Sequence, residues 1–128
     1  MNAIPEQEIY SHIGEDGFTK LVAHFYAQVP ANPILGPMYP QQDMVGAERR
    51  LRLFLIQRFG GPTTYDTERG HPRLRMRHAP FVVNMAARDA WMEMMNNALD
   101  ACAFEEAVDQ TLRQFLSHTA TFLINSLD

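Results

Sequence analysis

The sequence predicts an all-α fold. Apolar residues recur at three- and four-residue steps through most of the chain. Prolines and glycines fall between those stretches rather than inside them. The best strand signal, Phe81-Val82-Val83, is too short to build a sheet. The 128 residues suit one domain spanning 1–128, with room for a single core and one mid-sized ligand between helices.

Each helix has its own signals. Ile9 and Ile13 mark a short helix after Pro5, closed by Gly14, which suits the left-handed conformation past a helix end. Glu15 and Asp16 then place negative charge where a helix dipole favours it. The next helix runs from about Gly17 to Val29 on Phe18, Leu21, Val22, Phe25 and Val29. Pro30, Pro33, Pro37 and Pro40 exclude a long helix and predict a stiff corner. The helical period returns from Asp43, a suitable N-cap, to Phe59, with Val45, Ala47, Leu51, Phe54 and Leu55 on its apolar face. Gly60-Gly61-Pro62 stops it, and residues 61–73 read as a loop. A short helix carries Leu74 to His78 before Pro80. Two long helices close the chain. One runs about Asn84 to Cys102 on Trp91, Met94, Met95, Ala98, Leu99 and Cys102. The other runs about Glu105 to Ser126 on Val108, Leu112, Phe115, Thr119 and Phe122.

Composition narrows the function classes. Hydrophobic residues make up 46% and charged residues 20%, which is globular rather than disordered. The formal charge of −4 argues against a nucleic-acid surface, which needs cations facing phosphates, and against an anionic membrane. The one basic concentration is local, from Arg69 to Arg77. No apolar run approaches the roughly 18 to 20 residues of a membrane span. The opening MNAIPEQEIY does not read as a signal peptide. The single cysteine, Cys102, excludes an internal disulfide, points to the cytoplasm and reads as a small core residue.

The familiar catalytic motifs HExxH, GxxxxGK[ST], GxSxG and GxGxxG do not occur. Glu68 and His71 have the Glu-x-x-His spacing of di-iron bundles, but once only and beside Gly70 and Pro72. Met92, Met94 and Met95 read as core filling rather than a copper site. Of the five histidines, His12, His24 and His118 fall on amphipathic helices and read as surface positions. His71 lies in a polar loop, solvated or in reach of an anion. His78 follows cations and precedes an apolar stretch, in Arg75-Met76-Arg77-His78-Ala79-Pro80-Phe81. Two readings of it stand: a histidine capping a helix end, or an imidazole ligand for a haem iron.

A longer pattern bears on that choice. It comprises Tyr39-Pro40, Gly46-Ala47-Glu48-Arg49-Arg50-Leu51-Arg52, Phe54-Leu55, Gly60-Gly61-Pro62 and Thr64-Tyr65. It continues through Arg69 to Phe81 and ends in Arg88-Asp89-Ala90-Trp91, with Phe25-Tyr26-Ala27-Gln28-Val29 upstream. In these residues the chain resembles the group II truncated haemoglobins of bacteria, the mycobacterial-type members in particular. It departs from them at Gly14-Glu15-Asp16-Gly17, where two adjacent glycines are common.

The resemblance implies a truncated globin, a two-over-two helical sandwich around haem b, iron protoporphyrin IX. It implies that His78 ligates the iron. It places Tyr26, Tyr39 and Trp91 on the distal side, where a small ligand sits, with Trp91 the foremost hydrogen-bond donor. Ala47 takes the position of a distal histidine in many oxygen-storing globins. Leu51 and Phe54 match pocket walls. Arg50 and Arg77 match propionate contacts, and Tyr65 and His71 are further candidates there. The implied function is reversible binding of dioxygen, carbon monoxide and nitric oxide with slow release, with sulfide and peroxide as further ligands. The alternative is a nitric oxide dioxygenase or weak peroxidase drawing electrons from a separate reductase. Monomer and homodimer both fit.

Overall fold

A computed structural model describes residues 4–127 and contains no strand among them. Six α-helices follow one another: α1 Ile9–Gln28, α2 Met44–Arg58, α3 Thr64–Arg69, α4 Leu74–His78, α5 Met85–Cys102 and α6 Glu106–Phe122. α1 packs against both α2 and α5, and α5 packs against α6, which is the two-over-two arrangement. The proline-rich corner holds one short 3-10 turn, Gly36–Met38.

The caps explain the boundaries. Asp43 accepts from the Gly46 amide at 3.1 Å and Asn84 from the Ala87 amide at 2.9 Å, so each satisfies an orphan donor at a helix start. Gly14 has φ 62 and ψ −174, which are not helical values, so the expected stop at this glycine is present as a kink that divides α1 into the two expected segments. At Gly60, φ is 98 and a Cβ would collide with the Gln7 carbonyl, so this turn requires glycine.

The core lies where α1, α2, α5 and α6 meet. Phe18, Phe25, Phe59, Leu21, Leu55, Met95, Leu99 and Leu112 are fully buried there. The stacked Phe18 and Phe59 rings tie α1 to the end of α2, with centroids 5.9 Å apart. Cys102 and all three α5 methionines considered above are buried, as core residues.

Three expectations need correction. Residues 61–73 are not a plain loop, because 64–69 form α3. Its helical turn is secured from outside: Tyr65 is buried against Phe54, the Asp66 amide donates to Gln57 Oε1, and Glu68 pairs with Arg49 on α2. α6 stops at Phe122 rather than near Ser126. There the chain turns away, and the Asn125 and Ser126 amides bond the Val83 carbonyl instead of continuing a helix. Val45 is 84% exposed and does not belong to the buried face of α2.

Candidate functional site

Between the helices lies a cavity of about 330 Å³, a size suited to a cofactor. All the helices contribute to its wall, as does the corner at Leu35, Met38, Tyr39 and Pro40. The lining is mostly apolar, including Leu51 and Phe54 from α2 and Phe115 and Leu116 from α6. Four arginines reach it: Arg50, Arg69, Arg77 and Arg88. No carboxylate side chain lines it among the described residues.

His78, at the last position of α4, lines the cavity. Its Nδ1 lies 2.7 Å from the Leu74 carbonyl. A carbonyl only accepts, so Nδ1 carries the proton and Nε2 keeps a free lone pair. That is the tautomer and the orienting bond of a metal-ligating histidine.

An aromatic cluster forms another part of the wall. Tyr26 and Tyr39 meet edge to face at 5.6 Å, and Phe25 tilts against Trp91 at 5.4 Å. The Tyr26 hydroxyl donates to the Ala47 carbonyl at 3.1 Å. The Trp91 indole N–H donates to the Tyr39 hydroxyl, since indole has no acceptor to offer. Tyr39 thereby keeps its own O–H to give. Burial raises the Tyr26 phenol far above its ordinary range, and the neighbouring Tyr39 adds to the effect. Burial also pushes Tyr39 up to about 12, against the opposing bond from Trp91. Both phenols are neutral donors at physiological pH.

Most residues singled out in the sequence therefore converge. His78, Tyr26, Tyr39, Trp91, Ala47, Leu51, Phe54, Arg50, Arg77 and Tyr65 all line the one cavity. His71 does not; it is exposed beyond the end of α3. His12, His24 and His118 are exposed. Glu68 is committed to a two-pronged pair with Arg49 at 2.5 and 2.7 Å, which holds its carboxyl below the usual range. No cluster of metal-ligating side chains occurs among the described residues.

Two arginines escaped the sequence reading. Arg69 reaches the cavity from α3, its guanidinium 5.9 Å from the Tyr65 ring centroid. Arg88 reaches it from α5 and donates to Ser117 and Thr121 of α6. Arg88 lies three residues before Trp91, so helical spacing places both on one face.

The cavity suits a flat apolar macrocycle that carries iron and carboxylates. Its walls are apolar, its free imidazole nitrogen suits iron, and its cations suit carboxylates. Residues 8–125 match the family model described as bacterial-like globin. The chain belongs to that family. Family membership implies haem binding and a small ligand such as dioxygen. Group 2 truncated hemoglobin YjbI of Bacillus subtilis (strain 168) is 37% identical over 119 residues, covering 93% of this chain and 89% of that protein. The thermostable hemoglobin of Thermobifida fusca superposes with a TM-score of 0.90 at 45% identity, covering 94% of this chain and 98% of that one. The truncated oxygen-avid haemoglobin of Bacillus subtilis superposes with a TM-score of 0.87 at 38% identity, covering 91% and 98%. The fold is thus that of the group II truncated haemoglobins. No helix among the described residues is long and apolar enough to cross a membrane.

Proposed function

We propose that this chain holds haem b and through it binds dioxygen and other small ligands reversibly, releasing them slowly. One observation carries the reading: an imidazole with Nε2 uncommitted shares an apolar cavity with phenol and indole donors. Ferrous haem, when bound, supplies an open coordination position and leaves partial negative charge on a diatomic ligand.

Every other part belongs to the protein. His78 holds the iron through Nε2, and its bond to Leu74 fixes the ring and raises the basicity of the ligating nitrogen. Leu51 and Phe54 line the cavity and would pack on the macrocycle and exclude water. Arg50 and Arg77 would meet its carboxylates, and Tyr65, which also lines the cavity, is a further candidate for that contact. Arg77 spends Nε and Nη2 on the Pro72 and Arg69 carbonyls, so it meets a carboxylate with the donors that remain. Trp91 and Tyr39 work as a pair: the indole N–H orients the phenol, and the phenol O–H faces the charge on the ligand. Ala47 offers no side-chain donor and leaves space. Carbon monoxide, nitric oxide, sulfide and peroxide are small enough for the same space. The single cysteine, Cys102, lies on α5 and does not line the cavity, which supports a haem held without a thioether link, as the b type is.

Addition of haem to the purified protein tests the reading. The expected outcome is a stoichiometric Soret band and, after reduction, a dioxygen spectrum that reverses when oxygen is removed. Absence of the band overturns haem binding. A band with irreversible oxidation on first exposure to oxygen overturns reversible binding.

A further inference from the structure

α4 poses a physical problem. It has five residues, none of them buried, and no side-chain cap. Its N-cap Arg73 stands at φ 47, a conformation that costs free energy for a residue with a Cβ. Isolated, so short a helix would not persist in water. The bonds of Arg77 to Pro72 and Arg69 tie α4 back to the end of α3, and the bond of His78 to Leu74 stays within α4, so none of them anchors its C-terminal end to the rest of the molecule.

The bonds that place it come from the far end of the chain. Asn125 Nδ2 donates to the Phe81 carbonyl at 3.0 Å and the His78 carbonyl at 3.3 Å. Asn125 Oδ1 accepts from the Val83 amide at 2.9 Å. The Asn125 backbone amide donates to the Val83 carbonyl at 2.8 Å. One side chain therefore uses both ends of its amide on the six residues that start with His78. Three residues earlier, the Phe122 ring lies 5.2 Å beneath the Arg75 guanidinium. The end of α6 holds α4 on two sides.

We propose that Asn125 is a positioning residue for His78. By fixing the His78 carbonyl and the 81–83 strap to the end of α6, it sets the height and tilt at which Nε2 enters the cavity. The inference rests on His78 being the iron ligand. Only a carboxamide does this, because the task needs donors for two carbonyls and an acceptor for one amide.

The test uses haem-loaded protein and two variants, Asn125→Ala and Asn125→Asp. Resonance Raman of the ferrous, ligand-free form reads the iron–histidine stretching band, and hydrogen exchange reads the Val83 amide. Asn125→Ala should lower and broaden the band and speed Val83 exchange roughly two- to tenfold, the loss of one hydrogen bond. Asn125→Asp keeps the acceptor for Val83 but turns a negative charge on the His78 and Phe81 carbonyls. It should therefore shift the band while leaving Val83 protected. An unchanged band in both variants overturns the proposal, even where the melting temperature falls. Absence of the band from the wild type overturns instead the assignment of His78 as ligand. If Asn125→Ala does not fold, Asn125→Asp decides alone: a shifted band with Val83 protected supports the proposal, and an unshifted one overturns it.

Discussion

Trp91 stands on an 18-residue helix with a buried face, whereas His78 stands on a five-residue helix that buries nothing. The aromatic side of the cavity is held by packing: Phe25 is fully buried against Trp91, and Tyr26 is 9% exposed against Tyr39. The α4 side is held by polar bonds to backbone carbonyls and by one long-range carboxamide. Packing is non-directional and tolerant, while hydrogen bonds are directional and few. The difference teaches that the groups proposed to face the ligand are fixed as part of the core, and the proposed iron ligand is fixed as an attachment to it.

The largest effect should come from the attached side. His78→Gly removes the one imidazole that lines the cavity among the described residues, so stable iron ligation should be lost and restored by free imidazole. The absorption spectrum of the ferrous protein reads this directly, and a normal five-coordinate spectrum without imidazole would refute the assignment. The protein should still fold, because His78 contributes nothing to the core.

Next comes the packed side. Trp91→Phe deletes the indole donor that orients Tyr39. Without it the Tyr39 hydroxyl is free to turn from the ligand, so dioxygen release should quicken by up to what that hydroxyl's own bond to charge contributes, about 1.5 kcal/mol or roughly tenfold. Stopped-flow measurement of release checks it, and an unchanged rate shifts the donor role onto a tyrosine that needs no help from Trp91.

The two tyrosines should then separate. Tyr39→Phe removes the hydroxyl that remains free to donate and should speed release, by roughly tenfold if one charged hydrogen bond is lost. Tyr26→Phe removes a hydroxyl already committed to the Ala47 carbonyl. It should cost about 0.5 to 1.5 kcal/mol of stability and change release little. Equal effects on release would mean that Tyr26 leaves Ala47 when ligand enters.

The mildest test is alkaline. An unfolded tyrosine ionises near pH ~10, while burial raises Tyr26 and pushes Tyr39 up to about 12. Above pH ~10 the unfolded chain binds fewer protons than the folded one, so stability falls as the pH rises. The contribution of Tyr39 is complete below that pH and is lost as the pH passes through about 12. Denaturant melts from pH 9 to 12 should show this decline, and Tyr26→Phe with Tyr39→Phe should flatten it. A decline of the same slope in the double variant would assign the alkaline loss elsewhere.

Much of this molecule was legible without coordinates, because the signals were local. Asp43 and Asn84 cap helices that their own neighbours define, Gly60 ends one, and Pro80 follows the helix that carries His78. The matching pattern of residues then assigned the cavity wall from Tyr26 to Trp91, and all but His71 of those residues reach it. Contacts between distant segments were not legible. α3 reads as a loop because its helicity depends on Phe54, Gln57 and Arg49 of α2. The bond between Trp91 and Tyr39 joins α5 to the proline corner. Asn125 fell inside the expected last helix, but it lies past the end of α6 and its side chain bonds the His78 and Phe81 carbonyls. By itself, the sequence determined where helices begin and end and which types of side chain surround the cavity, since these follow from neighbours along the chain. Only the tertiary structure decided which donor is already spent, which is free and what holds His78 in place. Those answers are hydrogen bonds across 21 or more residues of separation, and no local pattern encodes them.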